Sequence, residues 1–218
     1  MKNLFVLKKV LFLSFLYLFG SAFCLSAEKI KFEAKGGTLN LTDYSFEKEG
    51  PLDLKGEWLF FWKKIIKPEN LQKVLKSEKG HPISFPGTWN KLPLGENGKK
   101  IGRFGYGSFV LKVKGLKKAL SLGLNIKAVS SNYRLFVIQG NKIHRMGGLG
   151  KVGEREEESL SQFGESVEDF IHEGGEFTIL INASNFFYRG GGLIGYLYLG
   201  PKRVVWDNYE RTTLRNFF

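Results

Sequence analysis

The chain has one cysteine, Cys24, among 218 residues, so it can form no disulfide within itself and its fold rests on a core alone. Histidine is equally sparse: His81, His144 and His172 stand at no metal-ligand spacing, which leaves them structural or solvent-exposed roles. Six prolines are too few for a proline-rich spacer. The sequence has no phosphate-binding loop and no Gly-x-Ser-x-Gly elbow, so kinase, cyclase and elbow-type serine-hydrolase chemistry have no anchor. The most apolar run, Leu11 to Phe19, is broken by Ser14 and Tyr17 and is too short for a comfortable membrane span.

What the chain does have is apolar and small material. Hydrophobic residues make up 43% and aromatics 15%, with 20 Phe and 27 Gly, enough for one sizeable core. Residues 1–27 have the layout of a cleavable export signal: Lys2, Lys8 and Lys9, the short apolar run, then Gly20, Ser21 and Ala22, and again Ser26 and Ala27. An uncleaved signal anchor is the alternative. Cys24 follows Ser21-Ala22-Phe23 and is a candidate lipid-attachment cysteine. The expected location is therefore the periplasm or cell envelope. Losing residues 1–27 removes three Lys and no acid, which takes the formal charge from +12 to +9. In an exported protein that charge suits anionic lipid head groups, lipopolysaccharide or acidic sugars rather than nucleic acid, or it is simply a solvated basic surface.

Beyond the signal, short alternating segments separated by Gly-rich turns predict strands near 30–33, 39–41, 57–62, 105–113, 119–126, 131–138, 177–183 and 193–199. One helix is expected from Pro68, with Leu71, Val74 and Leu75 on one face. Residues 90–103, 114–118, 147–150 and 159–175 read as loop or turn. Many short strands and one good helix argue for an all-β sandwich spanning 28–200. The segment 201–218 mixes Lys202, Arg203, Arg211 and Arg215 with Trp206, Tyr209, Phe217 and Phe218, as a juxtamembrane tail or an ordinary terminal helix would.

Several motifs recur in a fixed order. They are Leu54-Lys55-Gly56-Glu57-Trp58, Pro86-Gly87-Thr88-Trp89, Ser131 to Val137 with the turn Gln139-Gly140-Asn141-Lys142, and Ile179 to Asn185. Together they resemble the galactose-binding-like jelly roll of glycoside hydrolase family 2 over about residues 52–185. The family's Asn-Gly hairpin is Gln139-Gly140-Asn141 here, and its Gly-Gly-aromatic segment is reduced to Gly147-Gly148-Leu149-Gly150. Ser184 to Leu193, Tyr198-Leu199-Gly200, Tyr133 to Val137 and Gly150 to Gly153 also resemble the extracellular sandwich of bacterial seven-transmembrane receptors with diverse intracellular signalling modules. The resemblance implies a jelly roll that binds but does no chemistry. It implies the sensor part of such a receptor, without its membrane and output parts.

Candidate binding residues are Asn185, Tyr188 and Arg189, beside the Gly190-Gly191-Gly192 turn, and Tyr133 and Arg134, on the strand that enters the loop face, because aromatic faces and planar polar groups read sugar hydroxyls. Tyr133 and Asn185 could instead fix the sandwich corner, and Arg189 could pin the Gly turn. Trp58, Trp62 and Trp89 read as core. Glu154, Glu156, Glu157 and Glu158 read as a solvated loop rather than a paired-carboxylate site. No catalytic residue, metal or cofactor is expected. Three readings stay open: a sensor of a carbohydrate or polar metabolite, a structural module packed on a membrane protein, and an accessory domain of a glycoside hydrolase.

Overall fold

The computed structural model describes residues 32–127, 131–162 and 164–215. The expected export signal, Cys24 and the last three residues lie outside the described residues. Phe32 onward forms one compact unit.

The described chain is an all-β sandwich. One sheet runs in the order β4 (His81–Phe85), β3 (Gly56–Trp62), β6 (Gly105–Leu116), β11 (Gly175–Asn185), β8 (Asn132–Gln139) and β9 (Lys142–Leu149), with β1 (Thr38–Asn40) parallel to β6. The other sheet runs β10 (Ser166–His172), β7 (Leu120–Lys127), β13 (Tyr196–Pro201) and β2 (Leu52–Asp53). A small pair, β5 (Gly87–Thr88) with β12 (Gly192–Leu193), sits at one end. Helices are α1 (Phe46–Glu49), α2 (Leu71–Ser77) and α3 (Lys202–Arg215).

Strand alternation explains the layers. In β6, Phe109, Leu111 and Val113 face the core, as do Ile179, Ile181 and Ala183 of β11. They meet Leu122, Leu124 and Ile126 of β7 and Leu197 and Leu199 of β13. At one end the core is aromatic: Phe60 stacks on Trp89 at 5.6 Å and Trp58 on Phe85 at 4.5 Å. Trp58 and Trp89 are fully buried, and Trp62 packs half-buried beside them, as expected.

Both outer faces carry a partial cover. On the larger sheet, Pro68 opens a 3-10 turn that runs into α2, and Leu71 seats with Ile66 on Phe61, Val110, Ile138 and Leu180. On the smaller sheet, α3 places Val205 over Gly123. The basic-aromatic segment is thus helical from Lys202 to Arg215, and among the described residues no helix is long and apolar enough to cross a membrane.

Several segments depart from expectation: β4 and the start of β9 form where no strand is expected, and Phe32-Glu33 of the expected strand 30–33 are in none. β6 runs on to Leu116 through the expected basic turn, because Lys114 pairs with Asn40 of β1. Residues 147–149 belong to β9, not to a loop. Gly148 has φ +158°, and a Cβ there would lie 2.1 Å from the Tyr133 carbonyl, so the glycines let a bulged strand pass close to its neighbour. β10 falls inside the stretch read as loop, its alternation masked by Glu168 and Asp169. The expected strand 193–199 is two short strands, β12 and β13, in different sheets.

Candidate binding face

β3, β6, β8 and β11 bring Trp62, Gly105, Asn132 and Asn185 to one end of the sandwich, and the long loops gather there. Their backbone is held by hydrogen bonds from the main chain and from side chains. Trp89 N–H donates to the Gly191 carbonyl at 2.9 Å, Gly191 N–H donates to Asn90 Oδ1 at 2.9 Å, and Asn90 Nδ2 donates to the Arg189 carbonyl at 3.0 Å. Ser131 Oγ donates to the Gly192 carbonyl at 2.6 Å. Only glycine fits at Gly191, where a Cβ would lie 2.2 Å from both the Arg103 carbonyl and Trp89 Nε1.

Asn185 is buried and spends its whole amide on the same structure. Nδ2 donates to the Arg103 and Tyr188 carbonyls, each at 2.9 Å, and Oδ1 accepts from Tyr188 N–H at 3.0 Å. Tyr133 is also buried, with its hydroxyl 2.7 Å from Ser166 Oγ across the two sheets. Burial pushes its phenol up to about 12, the Ser166 hydrogen bond partly opposing. Arg134, the next residue along the strand, points to the opposite side of the sheet and donates to the Tyr133 carbonyl at 3.1 Å. Tyr133 and Arg134 therefore cannot share one ligand face. The fold brings Asn185, Tyr188 and Arg189 together at the Gly turn. Tyr188 Oη lies 2.5 Å from Ser161 Oγ, and Arg189 is exposed. Asn90, rather than the Arg189 side chain, bonds the turn's backbone.

What these tied segments present outward is aromatic and cationic. Phe104 and Phe187 are each 46% exposed, and Ile194 flanks Gly190. The Arg103 guanidinium lies 4.6 Å from the centroid of the Phe104 ring. The roles of Asn90, Arg103, Phe104 and Phe187 escaped sequence reading. The usable signal was an aromatic beside each loop arginine or asparagine: Arg103-Phe104, and Phe186-Phe187 after Asn185.

Beside this end, a cleft of ≈570 Å³ is lined by Ile65, Tyr106, Val152, Gly153, Glu154, Arg155 and Glu158. Tyr106 donates to Glu154 Oε2 at 3.2 Å. Arg155 hydrogen-bonds Glu158 and holds its carboxyl below the usual range, which suits an ion-paired loop and not a proton donor. Among the described residues, no group of three or more His, Cys, Asp or Glu could hold a metal ion.

No protein-family model matches the chain, and no curated protein matches it in sequence. Solved structures do. A family-2 glycoside hydrolase, the β-galacturonidase of Eisenbergiella tayi, is similar over 69% of this chain and 24% of its own, at 14% identity and TM-score 0.44. The β-glucuronidase of Lactobacillus rhamnosus is similar over 69% of this chain and 28% of its own, at 17% identity and TM-score 0.43. That of Dictyoglomus thermophilum is similar over 70% and 28%, at 15% identity and TM-score 0.42. The chain thus spans about a quarter of the length of each enzyme. Likeness at this level carries nothing about activity, and the all-β architecture rests on the strand order above.

Proposed function

We propose that the chain is an exported, non-catalytic ligand-binding domain of the cell envelope, of the kind that serves as the outer sensor of a membrane receptor. Its ligand is a carbohydrate or a similar polar metabolite. One observation carries this reading: a loop end whose backbone is tied by Asn90, Asn185, Trp89 and Ser131, and which turns Phe104, Phe187, Arg103 and Arg189 outward. Exposed rings on a rigid base lose little freedom on binding. Ring faces take the C–H side of a sugar, and guanidinium groups take hydroxyls or carboxylates.

A thermal-shift screen of the purified chain against neutral and acidic glycans tests it. Ligand at a hundred times Kd stabilises the folded state by about 2.7 kcal/mol, which raises Tm by several degrees in a domain of this size. The shift is expected to vanish in Phe187→Ala and Arg189→Ala while their unliganded Tm stays put. A flat screen on well-folded protein sinks the ligand-sensing form. Co-purification with a membrane protein through the same face would then make it an interaction module.

A further inference from the structure

Helix α3 covers the smaller sheet incompletely. Val205 fills the space over Gly123, where a Cβ would lie 2.9 Å from Val205 Cβ, and Lys202 and Trp206 are tied to Asp169 at 2.9 and 3.2 Å. Beside that contact a cleft of ≈250 Å³ opens. Asn125, Tyr198 and Pro51 form its floor, and Glu165 and the Asn208 and Thr212 of α3 form its walls.

Asn125 and Tyr198 are register partners on the outer face. Asn125 is only 7% exposed, and its Nδ2 donates to Glu165 Oε1 at 2.9 Å, which fixes which way the amide points. Its Oδ1 is buried with no hydrogen-bond partner among the described residues. An orphaned acceptor of this kind costs about 1–3 kcal/mol. Asn125 is one of the residues lining the cleft, and this oxygen lies just beneath the cleft surface.

We propose that this cleft binds one small neutral polyol of monosaccharide size, at a site separate from the loop end. The proposal rests on reading the chain as a binding domain for polar ligands, but on a different surface. Glu165 accepts from ligand hydroxyls, Asn125 Oδ1 does so once its amide turns out from Glu165 toward the cleft, and the Asn208 amide supplies donors. Tyr198, stacked on Tyr196 at 5.8 Å, offers a flat ring to the ligand's C–H face, and Pro51 and Val205 complete the apolar side. The volume lies just below the range of drug-sized sites, so it holds one ring rather than a chain of them. An organic cation would meet a single lining carboxylate, Glu165, already engaged by Asn125.

The test is a ¹H–¹⁵N titration of the purified chain, labelled at asparagine, with methyl β-D-glucopyranoside, D-galactose and myo-inositol. Saturable shifts of the Asn125 and Asn208 side-chain amides are expected with at least one of these. Thr212→Trp, which fills the cleft from the helix, should weaken the response at least tenfold, as should Asn125→Leu. Phe187→Ala should leave it intact. No saturable shift at Asn125 or Asn208 on folded protein overturns the proposal, and so does a response to choline or spermidine in place of the polyols. A response lost in Phe187→Ala but kept in Thr212→Trp would also overturn it while supporting the loop-end reading. A cleft response without any Phe187-dependent binding would do the reverse.

Discussion

The two outer faces of the sandwich solve the same problem differently. Each has a buried asparagine beneath a helical cover. On the larger sheet, Asn182 donates to the Ile66 carbonyl at 2.9 Å and accepts from Ser108 Oγ at 2.7 Å, while Ile66 N–H donates to Ser108 Oγ at 3.0 Å. The cover is stitched to the sheet, and Ile66 and Leu71 seal it. On the smaller sheet, Asn125 Oδ1 and Asp53 Oδ1 stay unpaired, and burial raises the Asp53 carboxyl against the pull of Lys55. Val205 is the one buried residue of α3 there. Under the closed cover the buried asparagine is fully engaged, whereas under the open one its oxygen is not; the larger sheet's own unpaired amide, Asn132, lies away from that cover at the loop end.

Among single substitutions at neutral pH, breaking the closed side should have the largest effect. Asn182→Ala strands the Ile66 carbonyl under an apolar lid and removes one of the two acceptors within reach of Ser108 Oγ, leaving the Lys64 carbonyl at 2.7 Å. A loss of about 2 kcal/mol is expected, seen as a fall in Tm of about 4–8 °C. A loss below about 1 kcal/mol would mean that water replaces the amide, and that the two covers are equally open.

The tie between the sheets comes next. Tyr133 holds its proton to about 12 in the folded chain, against an ordinary value of 10.0. The unfolded chain releases that proton first, so stability is fully present below pH 10 and is lost as pH rises toward 12. The loss amounts to about 2–3 kcal/mol. Urea unfolding at stepped alkaline pH should show this fall. Tyr133→Phe should flatten that limb while costing about 1 kcal/mol at neutral pH through the lost Ser166 bond. An alkaline limb unchanged in Tyr133→Phe would assign it to other tyrosines.

Legibility followed the same divide. The sandwich was readable because β6, β8 and β11 are apolar, strand-forming runs, β11 buried on both faces, and turn residues punctuate them. The hairpin at Gly140 was readable too, with φ +56° at the first loop position. Edge strand β10 was not, because Asp169 faces α3 as an ion-pair partner and so breaks the apolar pattern. The site was half legible. The Gly turn and Asn185 mark a special backbone, and composition cannot tell a residue that holds such a turn from one that meets a ligand. Tyr133 and Asn185 hold structure; Arg189 faces out. Asn90 and Asn125 gave no signal at all, since their roles come from chain segments far apart in sequence.

The smallest expected effect sharpens the comparison most. Asn125→Leu keeps the size of the side chain, deletes an acceptor that has no partner, and frees Glu165, which is only half-buried and can turn to water. Where both members of a buried polar contact are not needed, an apolar replacement of similar shape is close to neutral. Stability should therefore change by less than about 1 kcal/mol in urea unfolding, against the larger loss at Asn182. The same residue type, buried to a similar degree on two faces of one sandwich, would then differ because one amide completes the fold and the other waits on its surroundings. A loss at Asn125 as large as that at Asn182 would reverse this: the carbonyl would be satisfied by a fixed water, and the gap beside α3 would be structure rather than site.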